Sequence, residues 1–269
     1  MNACKIPPSI AARPINTATA LYTLLLAKRG WFGYTCVESG EDMRKSFDFI
    51  VRTKQDLIDA VREFGVVPLF ENAIPGFSVE EHVVPAAWFG SEQDGVWEWK
   101  GPVIRESGCA YGKFFEKKAA FISAEWFPDF ANYRRDGYDF DARWDEGLVP
   151  HGDKFLYDLI DANGPVLSKL LKRLGEYGKN GRKGFDTAIN RLQAQSYVLI
   201  RDFVYLQDKH GLSYGWGVAE YTTPEKLFGE PFTDAVYRRE PEESRARLLG
   251  HLRKLLPDAE DAALERFLR

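Results

Sequence analysis

Two glutamines flank a single alanine in "RLQAQSYVLIRDF", residues 191–203, where a basic helical run turns into a β-branched, aromatic strand. Amides do not titrate, so Gln193 and Gln195 are no ordinary acid–base pair. Their carbonyl oxygens can orient a water or stabilise positive charge developing on a sugar. Cleavage of an N-glycosidic bond needs that help, because its transition state resembles an oxocarbenium ion. The spacing serves such chemistry only if the helix ends near Leu192. Residues two apart share a side on a strand and diverge on a helix, so an extended 193–195 would aim both amides at one spot. The alternative is two solvated glutamines at a helix end.

The residues just upstream are basic. Lys169, Lys172, Arg173, Lys179, Arg182, Lys183 and Arg191 face only Glu176 and Asp186, within a chain of net charge −4. Phosphate contacts supply most non-specific affinity for DNA, so these seven side chains are the DNA-binding candidates. The other reading is a solvated face on a structural or protein-docking domain.

Further candidates are weaker. Asp136, Asp139, Asp141, Asp145 and Glu146 interleave with Tyr138, Phe140 and Trp144. They read as Asx turns over aromatics or as a source of one carboxylate near a substrate, and their spacing is not that of an EF-hand. Arg134 and Arg135 would meet phosphate or pair with those acids. Trp97 and Trp99 alternate with Glu98 and Lys100, so a strand or extended loop would put both indoles on one side. There they would pack in the core or stack on an extruded base. The chain has no GxGxxG, Walker or HExxH signature. Three cysteines without CxxC and four scattered histidines argue against a disulfide framework or structural zinc and fit a reducing cytoplasm. No metal or cofactor is expected, water being the nucleophile in such a hydrolysis.

The elements that must position these residues follow from pattern. With 45% hydrophobic and 28% charged residues, the 269-residue chain can build a packed core. Residues 18–27, "ATALYTLLLA", are too short to span a bilayer, and "KRGWFGY" after them is no cleavage site. Residues 1–45 are therefore expected to be a leader or loosely tied segment, with Met43 as the working start, and no membrane association is expected. Thr53 with Asp56 forms a capping box for a helix that Gly65 stops, and Ser78 with Glu81 repeats the cap. "CAYGKFFEKKAAFIS" reads as a hairpin. Near "GLVPHGD", residues 147–153, the composition shifts, separating a mixed α/β unit over 46–150 from a unit over 151–269. The second unit is expected to hold a helix to Asn163–Gly164, a helix beginning at Pro165, the Gly-rich basic turn "EYGKNGRKG", a third helix, and a two-stranded ribbon closed by "DKHG". In the second helix Val166, Leu167, Leu170, Leu171 and Leu174 would form the inward stripe. Three helices and a ribbon is the order of a winged helix, whose third helix enters the major groove of DNA. The C-terminal leucine stripe, Leu248, Leu249, Leu252, Leu255 and Leu256, is expected to pack on that unit, with Asp258 capping a last helix. No repeat is visible. The fold class expected is α+β, with winged helix-turn-helix architecture and a mixed α/β N-terminal part that is itself read as a degenerate winged helix.

"AINRLQAQSYVLIRDF" resembles the glutamine-motif segment of the AlkZ/YcaQ family of winged-helix DNA glycosylases, which unhook interstrand crosslinks. "CAYGKFFEKKAAFISAEWFPDF" and "YDFDARWDEG" resemble a bacterial group related to AlkZ, over about residues 50–230. The resemblance implies double-stranded DNA as partner, hydrolysis of the N-glycosidic bond of damaged bases, and Gln193 and Gln195 in the motif's two polar positions. Two departures stand beside it: the family's glycosylases stack several winged helices, and their motif lies near the N-terminus. A non-catalytic winged-helix regulator or docking module is the alternative.

Overall fold

The structure is a computed structural model that describes residues 47–88, 90, 95–211 and 213–269. The leader expected over 1–45 and the start expected at Met43 lie outside the described residues.

The first helix, α1 (Lys54–Phe64), begins as its sequence dictates. Thr53 accepts from Asp56 N–H, and the Asp56 carboxylate accepts from the N–H groups of Arg52 and Thr53 at 2.8 and 2.9 Å. Leu57, Ile58, Val61 and Phe64 are buried. Gly65 ends the helix at φ 72°, and a Cβ there would collide with Trp126. A short strand β1 (Val66–Pro68) follows, then α2 (Val79–His82), capped by Ser78, and α3 (Pro85–Trp88). Residues 96–107, expected to be extended, instead form helix α4 (Val96–Ser107). Trp97 and Trp99 mimic a two-residue period, and Pro102 argues against a helix. The burial of Val96, Trp99, Val103 and Ile104 at helical spacing wins. The hairpin β2 (Ala110–Phe115) and β3 (Lys118–Ile122) is as expected.

Helix α5 (Phe127–Arg135) leads to α6 (Phe140–Asp145), a helical turn capped by Asp139 where an irregular loop was expected. Then come α7 (His151–Asn163), β4 (Val166–Leu167) and α8 (Ser168–Leu174). The helix expected from Pro165 starts three residues later. The Gly164–Pro165 peptide is cis, and Val166 and Leu167 pair with Tyr221 and Glu220. Helix α9 (Phe185–Ala194) precedes the ribbon β5 (Leu199–Gln207) and β6 (Ser213–Thr222). Helices α10 (Pro224–Phe228), α11 (Glu230–Val236), α12 (Pro241–Leu255) and α13 (Asp261–Leu268) finish the chain. Glu260, not Asp258, stands at the start of the last helix.

The molecule is α+β, and a repeat invisible in the sequence is plain in its topology. Helix, short strand, helices and hairpin occur twice, with three helices (α2, α3, α4) between strand and hairpin in the first half and two (α8, α9) in the second. The first three-stranded antiparallel sheet has the order β1-β3-β2 and the second β4-β6-β5. In both, the short first strand pairs with the last strand of the hairpin. The halves interlock: α4 packs on β5, α9 packs on β2, and β2 contacts β5. One hydrophobic core runs from Phe47 to Leu268. The leucine stripe of α12 does not cover the second half. It packs on α5, and Leu255 O accepts from Phe47 N–H at 2.9 Å. Each fully buried leucine of that stripe is worth about 1.5–3 kcal/mol. Among the described residues no helix is long and apolar enough to cross a membrane.

Candidate nucleic-acid interface

The basic stretch is a helix followed by a built turn. On α8, Leu171 is buried, but Leu170 and Leu174, expected inward, are 37% and 43% exposed beside exposed Lys169 and Arg173. After Gly175 the chain folds back on itself. Arg182 N–H donates to Glu176 O at 2.9 Å, and a Cβ at Gly181 would strike that carbonyl. Tyr177 packs edge-on to Phe185, with ring centroids 5.2 Å apart, and pins the turn to α9.

The structure sorts the seven predicted DNA-binding cations by what already holds them. Arg191 makes a bidentate pair with the buried Asp153, at 2.5 and 3.0 Å, tying α9 to the first turn of α7. That hydrogen bonding, with the charge of Asp153 and against the effect of burial, raises the pKa of Arg191. Lys172 lies 3.6 Å from Asp186 and over the Phe185 ring. Lys183 donates to the carbonyls of Gly178 and Lys179. The Arg182 guanidinium lies 3.9 Å above the Phe155 ring, a cation–π seat. Lys169, Arg173 and Lys179 are exposed, and among the described residues no hydrogen bond, ion pair or ring engages their side chains. They are the cations available to a ligand.

The glutamine pair is not arranged as its spacing predicts. Helix α9 continues to Ala194, past Leu192, so the residues at 193 and 195 leave the helix roughly 200° apart. Gln193 is fully buried. Its Oε1 accepts from Lys113 N–H at 3.1 Å, and its Nε2 donates to Ile189 O at 3.1 Å. Lys113 lies where the β2–β3 register shifts, so Gln193 supplies a partner for a strand N–H in the other half. Gln195 is half-buried at the C-cap, and its N–H donates to Arg191 O at 2.9 Å. Ser196 then adopts φ 63° and turns the chain into β5.

Sequence reasoning missed what anchors this turn. Arg135 is 1% exposed, and its Nη2 donates to Ser196 O at 2.9 Å. Its Nη1 donates to Glu225 at 2.7 Å and to the Tyr237 hydroxyl at 2.8 Å. Burial opposes its charge, but Glu225 and Tyr237 outweigh it and raise its pKa. Arg134 also points inward, to Phe114 O and Arg269 O. Neither arginine pairs with the acidic loop. The paired arginine signal at 134–135 was visible, but its partner Glu225 lies 90 residues away in sequence. Trp97 and Trp99 also part company on their helix: Trp99 is buried, while Trp97 is half-buried against Phe70 and Trp88. Among the described residues no three His, Cys, Asp or Glu side chains gather as a metal site would require.

Two interlocked helix–strand–hairpin units with a basic outer turn define an α+β protein whose second half carries an exposed cationic edge. The family described as AlkZ-related matches residues 51–269, and the chain belongs to it. This agrees with the resemblance read from "AINRLQAQSYVLIRDF". No curated protein and no solved structure matches the chain.

Proposed function

We propose that residues 151–222 act as a winged-helix unit that holds double-stranded DNA by its phosphate backbone. The observation that carries this reading is the row of unpartnered, exposed cations Lys169, Arg173 and Lys179, on a chain that is acidic overall. Arg182 and Lys183 extend that edge, already braced by a ring and by carbonyls. The order of helices and the β4-β6-β5 sheet support the winged-helix description. Helix α9 keeps one solvent-facing side, Asp186, Thr187 and Arg191, because its other side is spent on β2. Family membership relates the chain to DNA-repair glycosylases. The buried amide of Gln193, engaged at both ends by backbone groups, supports a binder rather than an enzyme that uses this glutamine pair to excise bases.

Duplex affinity measured against salt tests the reading. Each phosphate contact contributes about 0.9 to the slope of log affinity against log salt. Replacing Lys169, Arg173 and Lys179 together by Gln should lower that slope by about 2–3, alike on unrelated duplex sequences. An unchanged slope would sink the DNA reading. It would favour the second one, for which exposed Leu170 and Leu174 between the same cations speak: an acidic, apolar protein segment docked on α8. Base release from alkylated or crosslinked duplex, lost in a folded Gln195→Ala variant that still binds DNA, would overturn the non-catalytic part.

A further inference from the structure

The second sheet is unfinished along one side. Its order is β4-β6-β5, so β6 is a central strand only where β4 reaches it. Val166 and Leu167 pair with Tyr221 and Glu220 alone. From Ser213 to Ala219, β6 keeps β5 on one side and, among the described residues, has no strand on the other. The outward N–H and C=O groups of such an edge are a template for a further strand. Proteins ordinarily blunt an edge of this kind with lysine, proline, a bulge or a cover. "SYGWGVA", residues 213–219, holds no charge and no proline. The register shift between Val204 and Leu206 coils the ribbon but leaves that edge neutral. Over the same stretch the ribbon is only two strands wide, and Val204, Tyr205 and Leu206 of β5 are half-buried. Two strands alone are marginal in water, and a third steadies them. At the middle of the open stretch stands Trp216, 76% exposed, with Trp97 edge-on behind it and ring centroids 6.2 Å apart. Tryptophan is enriched among the residues that anchor protein interfaces.

We propose that a second copy of this chain covers the edge, the two β6 strands pairing antiparallel about a twofold axis at Trp216. The open stretch extends equally to both sides of Trp216, from Ser213 to Ala219, and β4 closes it beyond. Full antiparallel overlap of two such edges therefore sets Trp216 opposite Trp216, and any other register leaves open residues unpaired. A twofold interface must be self-complementary, one patch meeting its own copy. Like charges directly opposite each other would oppose that pairing, and residues 213–219 carry none. The same neutrality argues for the copy over other occupants. It offers no cation to a phosphate backbone and no complementary charge to a basic or acidic peptide. The result is one sheet running through both molecules, with the two exposed indoles buried against each other at its centre.

Sedimentation of the full chain across the micromolar range tests this. The wild type should pass from monomer to a species of twice the chain mass as concentration rises. Trp216→Lys sets two ammonium groups face to face across the axis, and Trp216→Glu two carboxylates. Each variant alone should stay monomeric, with the far-ultraviolet dichroism of the wild type. Mixed in equal amounts they set ammonium against carboxylate, and the dimer should return. That rescue depends on residue 216 meeting itself, which a merely destabilised ribbon would not reproduce. A wild type that is monomeric at every concentration overturns the inference. If duplex DNA then quenches its fluorescence but not that of Trp216→Phe, DNA occupies the edge instead. A dimer that survives Trp216→Lys, or two folded charge variants whose mixture stays monomeric, also overturns it.

Discussion

At the residue scale, two glutamines that look equivalent in the sequence do unequal work. Gln193 joins the two halves through the Lys113 N–H, and its own helix through Ile189 O. Gln195 makes neither kind of contact. Orphaning a buried donor costs about 1–3 kcal/mol, so Gln193→Ala should destabilise the protein by about that amount in urea denaturation. Gln195→Ala should stay within about 0.5 kcal/mol, as a surface substitution away from special features does. Equal losses would contradict the geometry. Lys100 of α4, its Nζ 4.9 Å from the Trp97 ring centroid and 4.3 Å from that of Phe203, gives the second prediction at this scale. Its amine is brought down to about 8 in the folded protein from 10.5 in the unfolded chain. Between those values the unfolded state holds the extra proton, so stability rises with pH through that window. Lys100→Met lacks that titration. The wild type should therefore gain on Lys100→Met as pH is raised from 8 to 10.5, read as the difference in melting temperature. A difference that stays constant would mean that the rings do not desolvate the amine.

At the element scale, legibility divides along the range of the forces involved. The cap of α1, the β2–β3 hairpin and the basic turn are set by neighbours within a few residues, and the sequence read them correctly. β4 could not be read locally, because two residues become a strand only by pairing with Tyr221 and Glu220. Helix α4 was misread because Pro102 and the Trp-Glu-Trp alternation are local signals that burial overrides. The cations of the candidate site were legible as a cluster, but their partners were not: which of them Asp153, Phe155 or Asp186 engages is decided by the fold. Arg135 is the extreme case, a buried guanidinium that holds α5, the turn after α9, α10 and the residue after α11 together. Removing the guanidinium orphans the buried Ser196 carbonyl, a loss of about 1–3 kcal/mol, while Glu225, 36% exposed, returns to water. Arg135→Met should lose that much in denaturant unfolding. A loss under about 1 kcal/mol would show that the turn holds without it.

At the scale of the whole molecule, the two halves are not beads on a string. Helices α4 and α9 each pack against the hairpin of the other half, and α12 returns to the first half. Such a protein should unfold in one step. Tryptophan fluorescence, weighted to the first half by Trp88, Trp97, Trp99 and Trp126, and far-ultraviolet dichroism should therefore trace a single urea transition. Two separated transitions would show that the halves are thermodynamically independent.

The return of α12 also sets a timetable for synthesis. The His251 ring stacks on Trp126 with centroids 4.0 Å apart, and its imidazole meets Phe64 O at 2.8 Å. Leu255 O is the acceptor for Phe47 N–H. At about 5–20 residues per second on the ribosome, the stretch between Trp126 and His251 takes on the order of ten seconds to make. Through that interval the nascent first half carries an uncovered apolar flank on α5, a standing invitation to chaperones that is withdrawn only when α12 emerges.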